Sequence, residues 1–560
     1  MSTTYRCLNI LCVLIVAWGM PDTRADNPAE EVIKSCLFQP SLVKNKDGML
    51  VIKEIALEGK PIPAGPECKT QKDFNRRKFV WLDQQIVQAF QSLPLKDSEQ
   101  GKLLFALAED VARAWCELPE AKSWENLLSE IDKNESEESR THYVTQTIRA
   151  IGMSQSKRSN ESIVLLTRIY SDRESFQKVP PLWQFFLWEA YVLAQTNLEC
   201  SSYYTPAAMT DAFFAACKDG AFSPDTADIC ARYMFELVIP IETLKDDFVD
   251  RQKTVFLNDP WLLRMWYAKV DKHRAWASRG GGFAGDVRPS AWRYWETSLK
   301  HAHQMLSEAH AMRPDRPEAA ARMIEVLEGY RQNGECERDW FDRAVAAQMD
   351  YELAYTNYVW FALEPRWGGN AGMMKAFALE CFNTKRFDTI VPVIYYEILR
   401  FLPSKVHCSV WQMSLRDPEE RSRLDEFFTR LMAEPRYNAN KQCIDAHRAL
   451  VKLWAGEYEE AHRIASSLTS KGLMPMPLAE RNLCCANYQL FTSKWSDTEL
   501  QLYCGKHAAP MREARRMLDR GNNAEAVSVL KGLAGHYPDN SPEKAYLIQK
   551  VATLDTETNW

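Results

Sequence analysis

Met305-Leu306-Ser307-Glu308-Ala309, with Pro314-Asp315 shortly after, is echoed by Trp340-Phe341-Asp342-Arg343-Ala344 and Met349-Asp350. The apolar pair, the alanine and the aspartate all recur at an offset of 35 residues. Ala319 and Ala354 keep that offset, and Ala378 follows Ala344 by 34. Self-similarity at this period marks stacked helix pairs. The residue types say why. Alanine at a helix crossing lets two backbones approach, while Leu306 or Phe341 fills the adjoining groove. Asp315 or Asp350 stands where it can cap the following helix, and Glu318 completes a capping-box spacing with Asp315.

The C-terminal third repeats the pattern. Ala455-Gly456-Glu457-Tyr458-Glu459-Glu460-Ala461 reads as a turn entering a second helix. Arg520-Gly521-Asn522-Asn523-Ala524-Glu525-Ala526 does the same, with Leu530 four residues on and Pro538-Asp539-Asn540 closing the unit. Between them, Ser493-Lys494-Trp495-Ser496-Asp497-Thr498 takes the equivalent turn. The anchors Ala461, Thr498 and Ala526 are unevenly spaced, so these repeats are degenerate. The expected fold is all-α: a tetratricopeptide-like α-solenoid of antiparallel helix pairs.

A wider likeness runs over about residues 270 to 390. Trp276 to Ala284, Trp292, Arg313-Pro314, Pro317 to Ala321, Trp340-Phe341 and Pro365-Arg366-Trp367-Gly368-Gly369 together resemble a bacterial family of tetratricopeptide-like proteins of unknown function. That resemblance implies a fold and no activity.

Upstream, helical spacing begins near Asn75 with Phe79, Leu82, Ile86, Ala89 and Phe90, and continues from Leu104 to Trp115. Prolines at 180, 181, 206, 224, 240 and 260 cut the next stretch into ordinary helices. Residues 26–75 differ. Met49 to Ile52 and Ile55 to Leu57 can form a small hairpin, after which Pro61, Pro63, Gly65 and Pro66 break regular structure. This segment reads as an irregular lead-in packed on the first helices. The first residues read as a secretory signal: Arg6, the apolar run Leu8 to Met20, and Thr23-Arg24-Ala25 before a cleavage point. The expected organisation is therefore a signal peptide (1–25), the irregular segment (26–75), an N-terminal helical region (76–270), a central tetratricopeptide-like region (271–405) and C-terminal repeats (406–560). A periplasmic or secreted location follows. No later run is long and uncharged enough for a transmembrane helix; Val391 to Leu402 is interrupted by Glu397 and Arg400.

The formal charge of −6 disfavours a nucleic-acid partner. Of fifteen cysteines, Cys7 and Cys12 fall in the leader. None of the others shows zinc-site spacing. In an oxidising compartment Cys36 with Cys68 is the preferred disulfide, followed by a pairing within Cys200, Cys217 and Cys230. Adjacent Cys484 and Cys485 read as helix core plus one disulfide.

Several residues invite a functional reading. Gly280, Gly282 and Gly285 satisfy G-x-G-x-x-G, but their flanks look helical, and a dinucleotide site needs a preceding strand. His301, His303 and His310 share a helix without four-residue metal spacing, so they read as exposed or hydrogen-bonded. The tryptophan pairs Trp183/Trp188, Trp261/Trp266, Trp292/Trp295 and Trp360/Trp367 are expected mainly in the core, with one or two exposed exceptions. Arg366 and Trp367 are the candidate partner-binding pair, with Arg366 clamping a carboxylate of a partner; the structural reading of the same motif, which is preferred, has Trp367 plugging the inter-helix cleft while Gly368 and Gly369 turn the chain. No catalytic, cofactor or metal residue is assigned.

Two functions fit this pattern. A non-enzymatic exported scaffold would hold a protein or peptide on the surface that stacked helix pairs create. The alternative is an all-helical carbohydrate-active enzyme, a glycoside hydrolase or lyase of toroid type. That would need two carboxylates across a sugar cleft, with Asp286, Glu296 and Glu364 the best placed. Sequence leaves open superhelix and closed ring, and the oligomeric state, undecided.

Overall fold

The computed structural model describes residues 42–44, 50–91, 99–134, 140–197, 207–236, 252–280, 284–364, 369–402, 417–469 and 523–557. Single positions 119, 157, 257, 333 and 456 within those ranges are excepted, and the isolated positions 249, 415, 510, 511, 514 and 517 are added. The signal peptide, Cys36, Arg366, Trp367, the turn at 493–498 and the pair Cys484-Cys485 lie outside the described residues. The chain is mostly helical and divides into two units.

The larger unit, residues 54–405 in its described part, is a succession of helices. These are α1 (Gln71–Phe90), α2 (Glu99–Ala106), α3 (Ala108–Trp115), α4 (Trp124–Asn134), α5 (Tyr143–Gln155), α6 (Ser159–Ser171) and α7 (Arg173–Gln177). Then come α8 (Pro181–Asn197), α9 (Ala207–Lys218), α10 (Ala227–Glu236), α11 (Pro260–Arg279), α12 (Pro289–Met312) and α13 (Pro317–Leu327). The unit closes with α14 (Glu337–Ala347), α15 (Glu352–Tyr358), α16 (Ala371–Asn383) and α17 (Val391–Phe401). Neighbours in sequence pack against each other: α8 on α9, α11 on α12, α13 on α14, α16 on α17.

The repeating alanines lie where backbones meet. Ala309 on α12, Ala344 on α14 and Ala378 on α16 are each 0 % exposed. Phe341, one turn from Ala344, fills the space beside it, with its ring 4.9 to 5.2 Å from those of Tyr355, Tyr358 and Phe377. Asn357 of α15 donates its amide to the Ala321 carbonyl of α13 at 2.9 Å, so a buried polar group is satisfied as it ties the two helices.

The aspartates at the same period do something other than cap. The residue preceding α13 is Arg316, with Pro317 next and no side-chain cap; Asp315 stays exposed beside Arg316. Proline at the first helical position removes one of the N–H groups that a cap would satisfy. Glu318 instead points inward to an arginine of α10. Asp350 is buried and accepts the backbone N–H of Gln71 at 2.6 Å rather than capping α15.

The smaller unit holds a two-stranded hairpin and the C-terminal helices. The hairpin pairs β1 (Leu42–Lys44) with β2 (Leu50–Ile52), antiparallel, Val43 opposite Val51. The sequence expectation paired 49–52 with 55–57. That fails because Ile55 spends its N–H on the Gly372 carbonyl of α16. Its helices are α18 (Pro418–Ala433), α19 (Lys441–Ala455), α20 (Tyr458–Thr469), α21 (Asn523–Ala534) and α22 (Pro542–Glu557). The turn read at Pro538-Asp539-Asn540 falls between α21 and α22, while Gly456 lies outside the described residues. Ala461 and Ala526 are buried at 2 % and 0 %.

Among the described residues no helix is long and apolar enough to cross a membrane.

Candidate functional site

Residues 54 to 70 are not a lead-in packed on the first helices, as their sequence suggested. They form a strap laid along α14 and α16, almost three hundred residues away in sequence. Proline and glycine every few positions keep the strap out of regular structure; apart from a turn in which Cys68 donates its N–H to Gly65 O at 3.2 Å, its backbone groups turn to partners elsewhere. The helices supply them. Ile55 donates its N–H to Gly372 O at 3.2 Å. Lys60 donates its N–H to Asp342 Oδ2 at 2.9 Å, and Arg338 donates to the Lys60 carbonyl. Arg386 donates to the carbonyls of Gly65 at 2.7 Å and Ala64 at 3.3 Å. Met349 donates its N–H to the Lys69 carbonyl at 2.9 Å. Only Ile62 is a fully buried side chain of the strap, and Glu54 adds one ion pair, 3.1 Å from Lys375.

The grip is aimed at backbone rather than at side chains. Arg338 anchors it between two acids, one on each helix: Asp342 of α14 takes its Nε–H at 2.8 Å and Glu380 of α16 its Nη2–H at 2.9 Å. Burial opposes the charge on Arg338, but its bonds to Glu380 and Asp342 outweigh that, and the guanidinium is held protonated above its usual range. Its flank lies against the rings of Phe341 and Tyr358. Gly59 passes so close that a Cβ there would stand 2.4 Å from Arg338 Nε, and its φ of +144° belongs to glycine. Arg386 is steadied by Asp388, which accepts from both Nε and Nη2 at 2.9 Å.

A second feature sits at the tip of α11 and α12. An open cleft of about 470 Å³ is lined by Ser278, Arg279, Asp286, Arg288 and Ser290, among others. Beside it Arg279 lies 5.5 Å from the Trp276 ring and 5.4 Å from the Trp292 ring. Trp295 stands edge-on to both tryptophans. Trp183, Trp261 and Trp266 are buried core residues, whereas Trp292 and Trp295 are partly exposed.

The other sequence candidates are dispersed. Asp286 opens into the tip cleft, Glu296 is exposed on α12 and does not line it, and Glu364 is buried after α15. Thus the three carboxylates do not share that cleft. Gly369, next to the candidate Arg366 and Trp367, makes the turn expected of it: a Cβ would meet the Leu363 carbonyl oxygen at 2.0 Å. His303 is buried against Glu335 at 2.7 Å, and His301 lies 2.6 Å from Asp271. His310 stacks edge-on against Trp340. Among the described residues no group of three histidine, cysteine or acidic side chains could hold a metal. Cys68 is a free thiol.

Sequence reasoning missed the strap clasp. Arg338 and Asp342 stand four apart on a helix, the spacing of any surface ion pair; nothing local shows that a distant segment lies over them. No protein-family model matches the chain, and no curated protein matches it.

Proposed function

We propose that this protein is a non-enzymatic scaffold of tetratricopeptide-like helix pairs that holds an extended segment of a protein partner. It would be an exported protein, as its first 25 residues suggest. One observation carries the reading: α14, α16 and the residues just after them already hold a stretch of polypeptide, residues 54–69, irregular up to a turn at 65–68, chiefly through bonds to its backbone. A surface that binds N–H and C=O groups accepts many sequences, because every peptide carries them. The strap is the intramolecular form of that ligand, and a partner segment would take its place or extend it. Such exchange lets a helical stack hold a partner without building a separate pocket for each side chain.

The test is a capture experiment with the mature chain, a Gly59→Val form whose strap is dislodged, and an Arg338→Ala/Arg386→Ala form. Each is immobilised, exposed to an extract of the native envelope and eluted for mass spectrometry. The proposal expects one dominant protein, recovered in greater amount by Gly59→Val and lost from the double variant, with all three forms folded by circular dichroism. Capture indifferent to both arginines would overturn it. So would retention on a glycan array without any protein partner, which is the outcome a carbohydrate-active enzyme would give.

A further inference from the structure

Helices α9 and α10 follow one another in sequence, joined by residues 219–226. The turn is fixed by its own backbone: Gly220 donates its N–H to Cys217 O at 3.1 Å, and Ala221 donates to Ala216 O at 3.0 Å. Ser223 then receives the start of α10 through Thr226, whose hydroxyl oxygen accepts the Ser223 N–H at 2.8 Å. The Ala221 carbonyl takes the indole N–H of Trp81 from α1 at 2.8 Å, and Phe222 stacks on that ring at 5.1 Å. So the turn between the two helices is held both by its own bonds and by α1.

These two helices present two sulfur atoms to each other. Cys217 Sγ of α9 and Cys230 Sγ of α10 are 3.7 Å apart, both as free thiols. A disulfide needs about 2.05 Å, so shared equally each sulfur has to move less than an ångström. Cys217 is partly exposed and Cys230 is 1 % exposed. Of the two residues, Cys217 is the more accessible.

We infer that Cys217 and Cys230 are the site of a disulfide, formed by exchange with an exogenous disulfide such as that of a dithiol oxidoreductase or oxidised glutathione. In the first step the Cys217 thiolate attacks one sulfur of the oxidant. The oxidant's S–S bond breaks, one thiol leaves, and Cys217 carries a mixed disulfide. In the second, the Cys230 sulfur gives up its proton, attacks Cys217 Sγ and releases the second thiol. Two protein thiols are oxidised and one disulfide is reduced to two thiols, so electrons and protons balance. Cys230 is buried while Cys217 is partly exposed, so an external disulfide reaches Cys217 first; burial also pushes the Cys230 thiol above its ordinary range.

The bond would matter because of what α10 carries. Asp228 and Arg232 flank Cys230 on that helix, and they bind arginine, glutamine and glutamate side chains of α1, α13 and the Gln348 segment. Oxidation would hold that hub to α9 by a covalent link.

The experiment takes the full-length folded protein, treats it with oxidised glutathione, alkylates remaining thiols and digests it without reduction. The expected product is a linked pair of peptides containing Cys217 and Cys230, two hydrogens lighter than the reduced pair. It vanishes on reduction and is absent from Cys217→Ser. The oxidised wild type should melt a few degrees above the reduced form, and Cys217→Ser should show no such shift. Alkylation of both cysteines in the treated protein would overturn the inference. So would a stable glutathione adduct on Cys217, or Cys217 linked to any other cysteine.

Discussion

Arg232 of α10 donates its Nε–H to Glu318 Oε1 of α13 at 2.7 Å, and the carboxylate is 1 % exposed. One Nη2–H goes to Gln348 Oε1 at 2.7 Å and one Nη1–H to Gln71 Oε1 at 3.1 Å. The flat face lies over Phe74, 3.5 Å from the ring centroid. Burial disfavours the charge, but the nearby Glu318 carboxylate more than compensates and raises the pKa. Removing the cation alone strands a buried anion. Arg232→Ala is therefore expected to cost about 3–5 kcal/mol of stability, the usual penalty for breaking a buried pair. Arg232→Met with Glu318→Leu should recover most of that loss. Urea denaturation of the three forms decides it; a double variant as unstable as the single one would show that the pair is not the source of the effect.

The buried alanines give a second expectation. Ala309, Ala344 and Ala378 occupy crossings with no accessible surface, and a larger side chain there must push helices apart. Leucine at any of them should destabilise the larger unit by about 1–3 kcal/mol. Leucine in place of Asp315, whose side chain is 62 % exposed, should leave the melting midpoint almost unchanged. Equal effects at both kinds of position would mean that the 35-residue register does not mark helix contacts.

Much of this was legible because it is local. Helix identity came from three-and-four spacing, and the crossings came from small residues recurring beside Leu306 and Phe341. What sequence could not show are the contacts whose partners lie far off. Arg232 sits 86, 161 and 116 residues from Glu318, Gln71 and Gln348, so an arginine on an apolar helix gave no hint of its partners. The strap was misplaced for the same reason: Lys60 and Asp342 are 282 residues apart, and a proline-rich segment carries no periodicity to place it. The caps expected at Asp315 and Asp350 went wrong differently. Spacing identified the residues, but Asp350 had a stronger use in receiving the Gln71 amide.

The strap itself can be tested apart from any partner. Gly59→Val puts a branched side chain at φ +144° and into the space held by Arg338. Hydrogen exchange should then accelerate at the amides of Ile55 and Lys60, which donate to Gly372 and Asp342. Amides inside α14 and α16 should keep their protection, since only Ile62 of the strap is fully buried. Continued protection of the Lys60 amide would show that the clasp does not depend on this close approach.

Acid should weaken the fold through two histidines held neutral. Burial lowers the His273 pKa to about 3, and Lys272, Lys269 and Arg322 reinforce the shift against the single opposing carboxylate of Glu325. Burial likewise lowers His142 to about 4; its Nδ1 accepts the Val144 N–H at the start of α5, which a protonated ring could not do. The folded state thus binds fewer protons than the unfolded chain below the ordinary histidine value near 6.5. These groups contribute their full stability above that pH and lose it progressively as pH falls toward 4 for His142 and 3 for His273. His273 alone accounts for roughly 2 kcal/mol between pH 6.5 and pH 5. His273→Gln removes the titrating group, so its denaturation midpoint should vary less over that interval than that of the wild type. A variant curve parallel to the wild type from pH 7 to pH 5 would mean that His273 is protonated as readily in the folded protein as in the unfolded chain.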